Sequence, residues 1–299
     1  MNELLNYCTL CPRKCKVNRN NNELGFCGMT KELVVARASL HFWEEPIISG
    51  EKGSGTVFFS GCNLKCVFCQ NYNISNQNFG KKISIERLSE IFLELQKKGA
   101  NNINLVTPTH FVPQIIEALK ISKENGLSIP IVYNTSGYES IETIKLLNGF
   151  IDVYLPDFKY FDNKYALKYS KCPDYFENAT SSINEMIKQV GKPKFNDDGL
   201  LVKGVIVRHM MMPGLLKDSK KIIHYLVDNY NDDIFISIMN QYTPTNNLNK
   251  YSEINKIVNK NEYEELINYA INIGIKNGFM QEGETQKTSF IPEFDTTGV

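Results

Sequence analysis

The chain is short of several things, and each shortage removes a class of explanation. Its charge is balanced: Lys plus Arg and Asp plus Glu both number 33 in 299 residues, so no net field gathers nucleic acid or an anionic membrane as a partner. No apolar run reaches about 18 residues, the length that a membrane-crossing helix needs. The opening Met1-Asn-Glu-Leu-Leu-Asn-Tyr7 lacks the basic-then-apolar layout of a secretory signal, so a cytoplasmic protein is expected. Internal repeats and long low-complexity tracts are absent too; the polar run Asn18 to Asn22 reads as a surface turn. Tryptophan occurs once, in Phe42-Trp43-Glu44-Glu45-Pro46, where it is expected to pack the N-terminal segment against the main domain. His41 and His224 read as ordinary surface or core residues.

Cysteine is what the chain has. Seven of its 8 cysteines fall within the first 69 residues. In a reducing compartment such clustering argues for metal ligation over disulfides. Three of them, in Phe58-Phe59-Ser60-Gly61-Cys62-Asn-Leu-Lys-Cys66-Val-Phe68-Cys69-Gln70-Asn71, are packed tightly enough to hold three corners of a four-iron cluster. Two thiolates suggest a redox pair or half a zinc site, and four suggest a closed cluster or structural zinc. Three leave one iron open for reaction. The competing reading of this loop is zinc held with a His or a distant Cys.

Beyond residue 55, β-type runs alternate with helical patterns, the layout of β-α units around a parallel sheet. Six strands are expected, at Thr56 to Ser60, Asn102 to Val106, Ile129 to Tyr133, Ile151 to Leu155, Leu200 to Val207 and Ile234 to Ile238. Ser84 to Lys98 carries Ile85, Leu88, Ile91, Phe92 and Leu95 at helical steps, with Ser84 as N-cap. Further helices are expected at Phe111 to Glu124, Ser140 to Leu147, Ser182 to Val190, Ser219 to Val227 and Asn261 to Ile273. Six strands are too few to close an eight-stranded barrel, so the expected fold is α/β, an incomplete TIM-type barrel. The expected organisation is a Cys-rich metal-binding segment over 1–50, the barrel over 51–245, and a helical extension over 246–299 packed on it.

The spacing of Cys62, Cys66 and Cys69 with aromatic Phe68 before the last cysteine resembles the signature of the radical S-adenosylmethionine (radical SAM) enzymes. Gly53-Ser-Gly55 before the loop and Gln70-Asn71-Tyr72 after it resemble the pyruvate formate-lyase-activating-enzyme-like branch. The resemblance implies a partial (β/α)6 barrel, a 4Fe-4S cluster on the three cysteines, and S-adenosylmethionine chelating the open iron. It implies an oxidoreductase that cleaves S-adenosylmethionine reductively into methionine and a 5'-deoxyadenosyl radical for hydrogen abstraction. A glycyl-radical protein as substrate and a flavodoxin or ferredoxin as electron donor are the implied partners.

Cofactor contacts in such a barrel come from the C-terminal ends of the strands. The second expected strand ends in Thr107-Pro108-Thr109-His110, where the branch carries Gly-Gly-Glu-Pro; this departure leaves backbone and Pro108 as the expected contacts. The third ends in Asn134-Thr135-Ser136-Gly137, similar to the branch's Asp-Thr-Asn-Gly. Asn134 in place of the acid weakens the monovalent-cation site that the branch builds there, and none is expected. The fourth ends in Asp157-Phe158-Lys159, matching Asp-Leu-Lys, with Lys159 placed to pair with the methionyl carboxylate. The fifth ends in Arg208-His209, followed by Pro213-Gly214.

Cys8, Cys11, Cys15 and Cys27 form a second group, suited to zinc or another iron-sulfur cluster, with free thiols as the alternative. Cys172 lies in the loop after the fourth strand, as a hydrogen donor or an inert small side chain. Three functions stay open: activation of a glycyl-radical enzyme, radical modification of a small molecule or peptide, and an iron-sulfur electron carrier or redox sensor. The polar set at the strand ends, superfluous in a carrier, favours an enzyme.

Overall fold

The computed structural model describes residues 2–245, 248–280 and 292–299. Its strands are β1 (Leu33–His41), β2 (Ser54–Phe59), β3 (Lys81–Ile83), β4 (Ile103–Val106), β5 (Ile131–Thr135), β6 (Val153–Pro156), β7 (Lys194–Phe195), β8 (Leu201–Met210), β9 (Phe235–Met239) and β10 (Gly278–Met280). Its helices are α1 (Pro46–Ser49), α2 (Tyr72–Ser75), α3 (Ile85–Lys97), α4 (Val112–Glu124), α5 (Ile141–Leu146), α6 (Asn163–Ser170), α7 (Tyr175–Val190), α8 (Leu216–Tyr230) and α9 (Lys260–Asn272).

Every residue of β2, β4, β5 and β6 is buried, so these strands are covered on both faces and carry no charged residue. The sheet order is β10-β9-β8-β6-β5-β4-β2-β1-β3, parallel from β10 to β2. Its end strands β10 and β3 do not pair among the described residues, so the sheet is open and not closed into a barrel. All six expected strands are present in it. On α3 the expected stripe faces inward, with Leu88, Ile91, Phe92 and Leu95 buried, each contributing about 1.5–3 kcal/mol through burial. Ser84 caps this helix by accepting from the Arg87 amide.

Several elements differ from the sequence reading. β1 was not expected as a strand, yet it pairs antiparallel with both β2 and β3 and extends the sheet past its first parallel strand. α7 begins at Tyr175, well before Ser182, because Tyr175 and Ala179 continue the buried stripe of Ile183, Met186 and Val190. Ser182 is thus a mid-helix residue, its hydroxyl donating to the Ala179 and Gly137 carbonyls. The part of the chain after 246 supplies α9, joined to α8 by a Lys220–Glu265 ion pair, and also β10, parallel to β9. Trp43, expected to pack the N-terminal segment against the main domain, is 60% exposed and lines a cleft.

Candidate active site

The parallel strands β2, β4, β5, β6, β8 and β9 deliver their C-terminal ends to one cleft of about 280 Å³, at the lower end of small-ligand sites. Cys62, Cys66 and Cys69 line it together, in the loop that follows β2. The turn into that loop needs Gly61: its φ is +85°, and a Cβ there would stand 2.6 Å from the Met29 side chain and 2.9 Å from the Cys27 carbonyl. Each thiol sulfur accepts a hydrogen bond. The Leu64 amide donates to Cys62 at 3.3 Å, the Ser170 hydroxyl to Cys66 at 2.9 Å and the Ser75 hydroxyl to Cys69 at 3.2 Å. Burial pushes the Cys66 thiol up to about 12, against the pull of the nearby Lys159 cation.

Opposite the cysteines lies a charged network. Arg208 donates from Nε to Asp157 at 3.0 Å, from Nη1 to Glu44 at 3.2 Å and from Nη2 to Asn134 at 2.7 Å. Lys159 donates to the other oxygen of Asp157. Burial works to raise the Asp157 pKa, but Lys159 and Arg208 together hold it below its ordinary value. Burial likewise opposes charge on Lys159, and Asp157 and Cys66 outweigh it, so the ammonium persists. Gly137 carries the β5 end past β6: its φ is +78° and a Cβ would fall 2.1 Å from the Asp157 carbonyl. Thr107, at the end of β4, takes φ +57°, a left-handed conformation that a β-branched residue adopts only under strain.

Comparison with known proteins places this geometry. The model of the radical SAM superfamily matches residues 56–226. An uncharacterized protein of Methanocaldococcus jannaschii is 33% identical over 275 residues, covering 88% of this chain and 74% of that one. The chain belongs to the radical SAM superfamily. The pyruvate formate-lyase-activating enzyme of Clostridium pasteurianum is 27% identical over 222 residues, covering 70% of this chain and 83% of that enzyme. Among solved structures, the FeFe-hydrogenase maturase HydG superposes with a TM-score of 0.53 at 14% identity, covering 79% of this chain and 54% of that one, a likeness of fold.

Radical SAM proteins carry a 4Fe-4S cluster and S-adenosylmethionine, and the residues present fit both. The three sulfurs share one cleft, each with a hydrogen-bond donor already in place, and no fourth cysteine lines it. For the second ligand, the Ser136 hydroxyl is buried in the cleft wall without a partner among the described residues. Besides Ser136, the cleft gathers Phe68, Thr107, Asn134, Asp157, Lys159 and Arg208 from the expected cofactor residues. Phe68 is buried against Tyr242, ring centroids 5.7 Å apart.

Three expected residues are not brought there. Pro108 and Thr109 turn away behind β4, where the Thr109 hydroxyl donates to Glu139 at 2.6 Å. His209 points to the other side of β8, its Nδ1 2.8 Å from the Phe158 carbonyl, because neighbouring residues on a strand face opposite ways. Cys172 is fully buried outside the cleft, its thiol 3.8 Å from Asp174. Cys8, Cys11, Cys15 and Cys27 do not line the cleft.

The sequence reading missed Glu44, which accepts from Arg208, Asn104 (2.9 Å) and Asn134 (3.4 Å). Burial foremost raises its pKa, and Arg208 opposes that. His41 was read as ordinary and lines the cleft with Trp43 and Glu44. All three lie at or just after the C-terminal end of β1, which the antiparallel pairing sets beside Ser54 at the start of β2, and they line the cleft from that side. The alternation of Leu33-Val-Val-Ala-Arg-Ala-Ser-Leu-His41 was the available signal.

Proposed function

We propose that this chain transfers a hydrogen atom from a glycine of a partner glycyl-radical protein to a 5'-deoxyadenosyl radical. Radical SAM chemistry belongs to the superfamily; the partner is the step beyond it. The observation that carries the reading is Trp43, which lines the cleft and is yet 60% exposed, an apolar group suited to a segment of another protein. Similarity to a pyruvate formate-lyase-activating enzyme over most of that enzyme's length supports it.

When bound, the cluster supplies the electron that cleaves S-adenosylmethionine. The chain's own residues bind and orient. In this reading Cys62, Cys66 and Cys69 are the cluster ligands. Lys159 pairs with the methionyl carboxylate, held in place by Asp157, which Arg208 fixes in turn. Asn134, Ser136 and the Thr107 backbone hold the remaining polar groups, and Phe68 excludes water beside the cysteines. A small external electron donor of the flavodoxin or ferredoxin class reduces the site.

The test is anaerobic turnover with a candidate glycyl-radical protein deuterated at its glycines. Deuterium in the released 5'-deoxyadenosine, with a matching glycyl radical signal in the partner, is expected. Deoxyadenosine that stays unlabelled, while a small molecule or short peptide stimulates its release, would reject the partner assignment.

A further inference from the structure

The four N-terminal cysteines play no part in that chemistry, yet the chain folds the turns that carry them against one another. Residues 8 and 17 pair as a short ladder, the Cys8 amide to the Val17 carbonyl at 3.0 Å and the Lys16 amide to the Cys8 carbonyl at 2.9 Å. Lys14 and Lys16, on either side of Cys15, both take left-handed backbones, φ 42° and 60°, so the chain reverses at that cysteine. Cys15 Sγ then meets a later turn: the Phe26 amide donates to it at 3.3 Å, and a Cβ on Gly25 would stand 3.4 Å away. That turn, closed by the Gly28 amide on the Gly25 carbonyl at 2.9 Å, carries Cys27. Cys11 opens the turn that Lys14 closes at 3.0 Å.

A second, independent observation is the charge beside them. Arg19 is 0% exposed, and among the described residues it has no carboxylate partner. Its guanidinium donates to the Thr30 carbonyl at 3.1 Å and the His110 carbonyl at 2.6 Å, and reaches Cys8 Sγ at 4.0 Å. A buried cation needs a counter-charge, and neutral thiols supply none. Four metal-bound thiolates do. Among the described residues no three Cys, His, Asp or Glu side chains gather closely enough to hold a single ion. The same is true of Cys62, Cys66 and Cys69, the trio whose family places a cluster there.

We propose that Cys8, Cys11, Cys15 and Cys27 hold a second iron-sulfur cluster, ligated by protein at all four corners, with Arg19 as its buried counter-charge. The module is fastened to the catalytic loop. Arg13, between Cys11 and Cys15, donates to the Asn63 carbonyl at 2.8 Å and the Ser170 carbonyl at 3.1 Å, and the Ser170 hydroxyl is the donor on Cys66. The filled site therefore holds the backbone that positions Cys66. This proposal does not depend on the substrate of the cleft.

The test uses full-length protein with Cys62, Cys66 and Cys69 all replaced by Ala and reconstituted anaerobically with iron and sulfide. About four irons should remain per chain, with a spectrum that S-adenosylmethionine leaves unchanged. One zinc without iron, or no metal with all four thiols alkylated in the folded protein, overturns the proposal. Should that variant not fold, native mass spectrometry of reconstituted wild-type chain gives the second reading: the mass of two clusters is expected, and the mass of one refutes it. Arg19→Gln should move the midpoint potential of the SAM-insensitive cluster to more negative values, since a buried positive charge favours the reduced form. An unchanged potential removes Arg19 as its counter-charge.

Discussion

Glu139 joins the ends of β4 and β5, and its proton is expected to make stability depend on pH. Its Oε1 accepts the hydroxyls of Thr109 and Thr135, while Oε2 is buried with no partner among the described residues. Burial foremost raises the pKa from 4.5 to about 7, against the downward pull of those hydroxyls. Because the folded value lies above the unfolded one, the native state holds this proton more tightly. The stability it contributes is fully present below about pH 4.5, is lost as the pH rises toward 7, and stays lost above that. The full gap corresponds to about 3 kcal/mol, of which about 2.5 kcal/mol falls between pH 5 and pH 8. Glu139→Gln keeps an acceptor for both threonines and removes the charge. Its amide adds a buried donor at a cost of about 1–3 kcal/mol, the same at every pH, so the diagnostic is the change with pH and not the absolute stability. Anaerobic urea unfolding of both proteins, followed by far-ultraviolet circular dichroism at pH 5, 6, 7 and 8, measures it. The variant should gain about 2.5 kcal/mol on the wild type across that range. A constant offset between the two proteins would refute the reasoning and show that the carboxylate finds solvation in the native state.

Lys159→Ala should weaken S-adenosylmethionine binding by about 1.5–3 kcal/mol in an equilibrium titration, whereas Lys217→Ala, exposed on α8, should not; equal affinities would take Lys159 out of the site. Ser170→Ala removes the only hydroxyl donating to Cys66 among the described residues, so the potential of the SAM-responsive cluster should move to more negative values, and no change in the redox titration would show that this bond is not made in the loaded protein. Arg208→Met leaves Asp157 and Glu44 without their shared cation and should cost about 3–5 kcal/mol in denaturant unfolding at neutral pH; a loss under about 1 kcal/mol would mean that the two acids are solvated.

The sequence by itself determined the chemistry. The three-then-two spacing of Cys62, Cys66 and Cys69 is local, and one loop suffices to bring the sulfurs to one cleft. It also determined the parallel strands, because burial on both faces leaves β2, β4, β5 and β6 short, β-rich and free of charged residues. From the strand ends it predicted Asp157, Lys159, Asn134 and Arg208, since the C-terminal end of a barrel strand has one place to go. What it did not contain was direction at a single residue. Thr109 and His209 follow strand-end residues that face the cleft, and their side chains turn away from it to Glu139 and the Phe158 carbonyl. Nor did it contain the partner across the sheet. Glu44 is far from Arg208 in sequence, and only the antiparallel pairing of β1 on β2 brings its carboxylate within 3.2 Å of that guanidinium. The burial of Arg19 beside Cys8 is of the same kind: a polar turn in the sequence, closed over by the His110 and Thr30 carbonyls once the sheet has formed. Spacing along the chain decides which atoms can meet within one loop; which charges share a buried site is decided where strands distant in sequence are packed side by side.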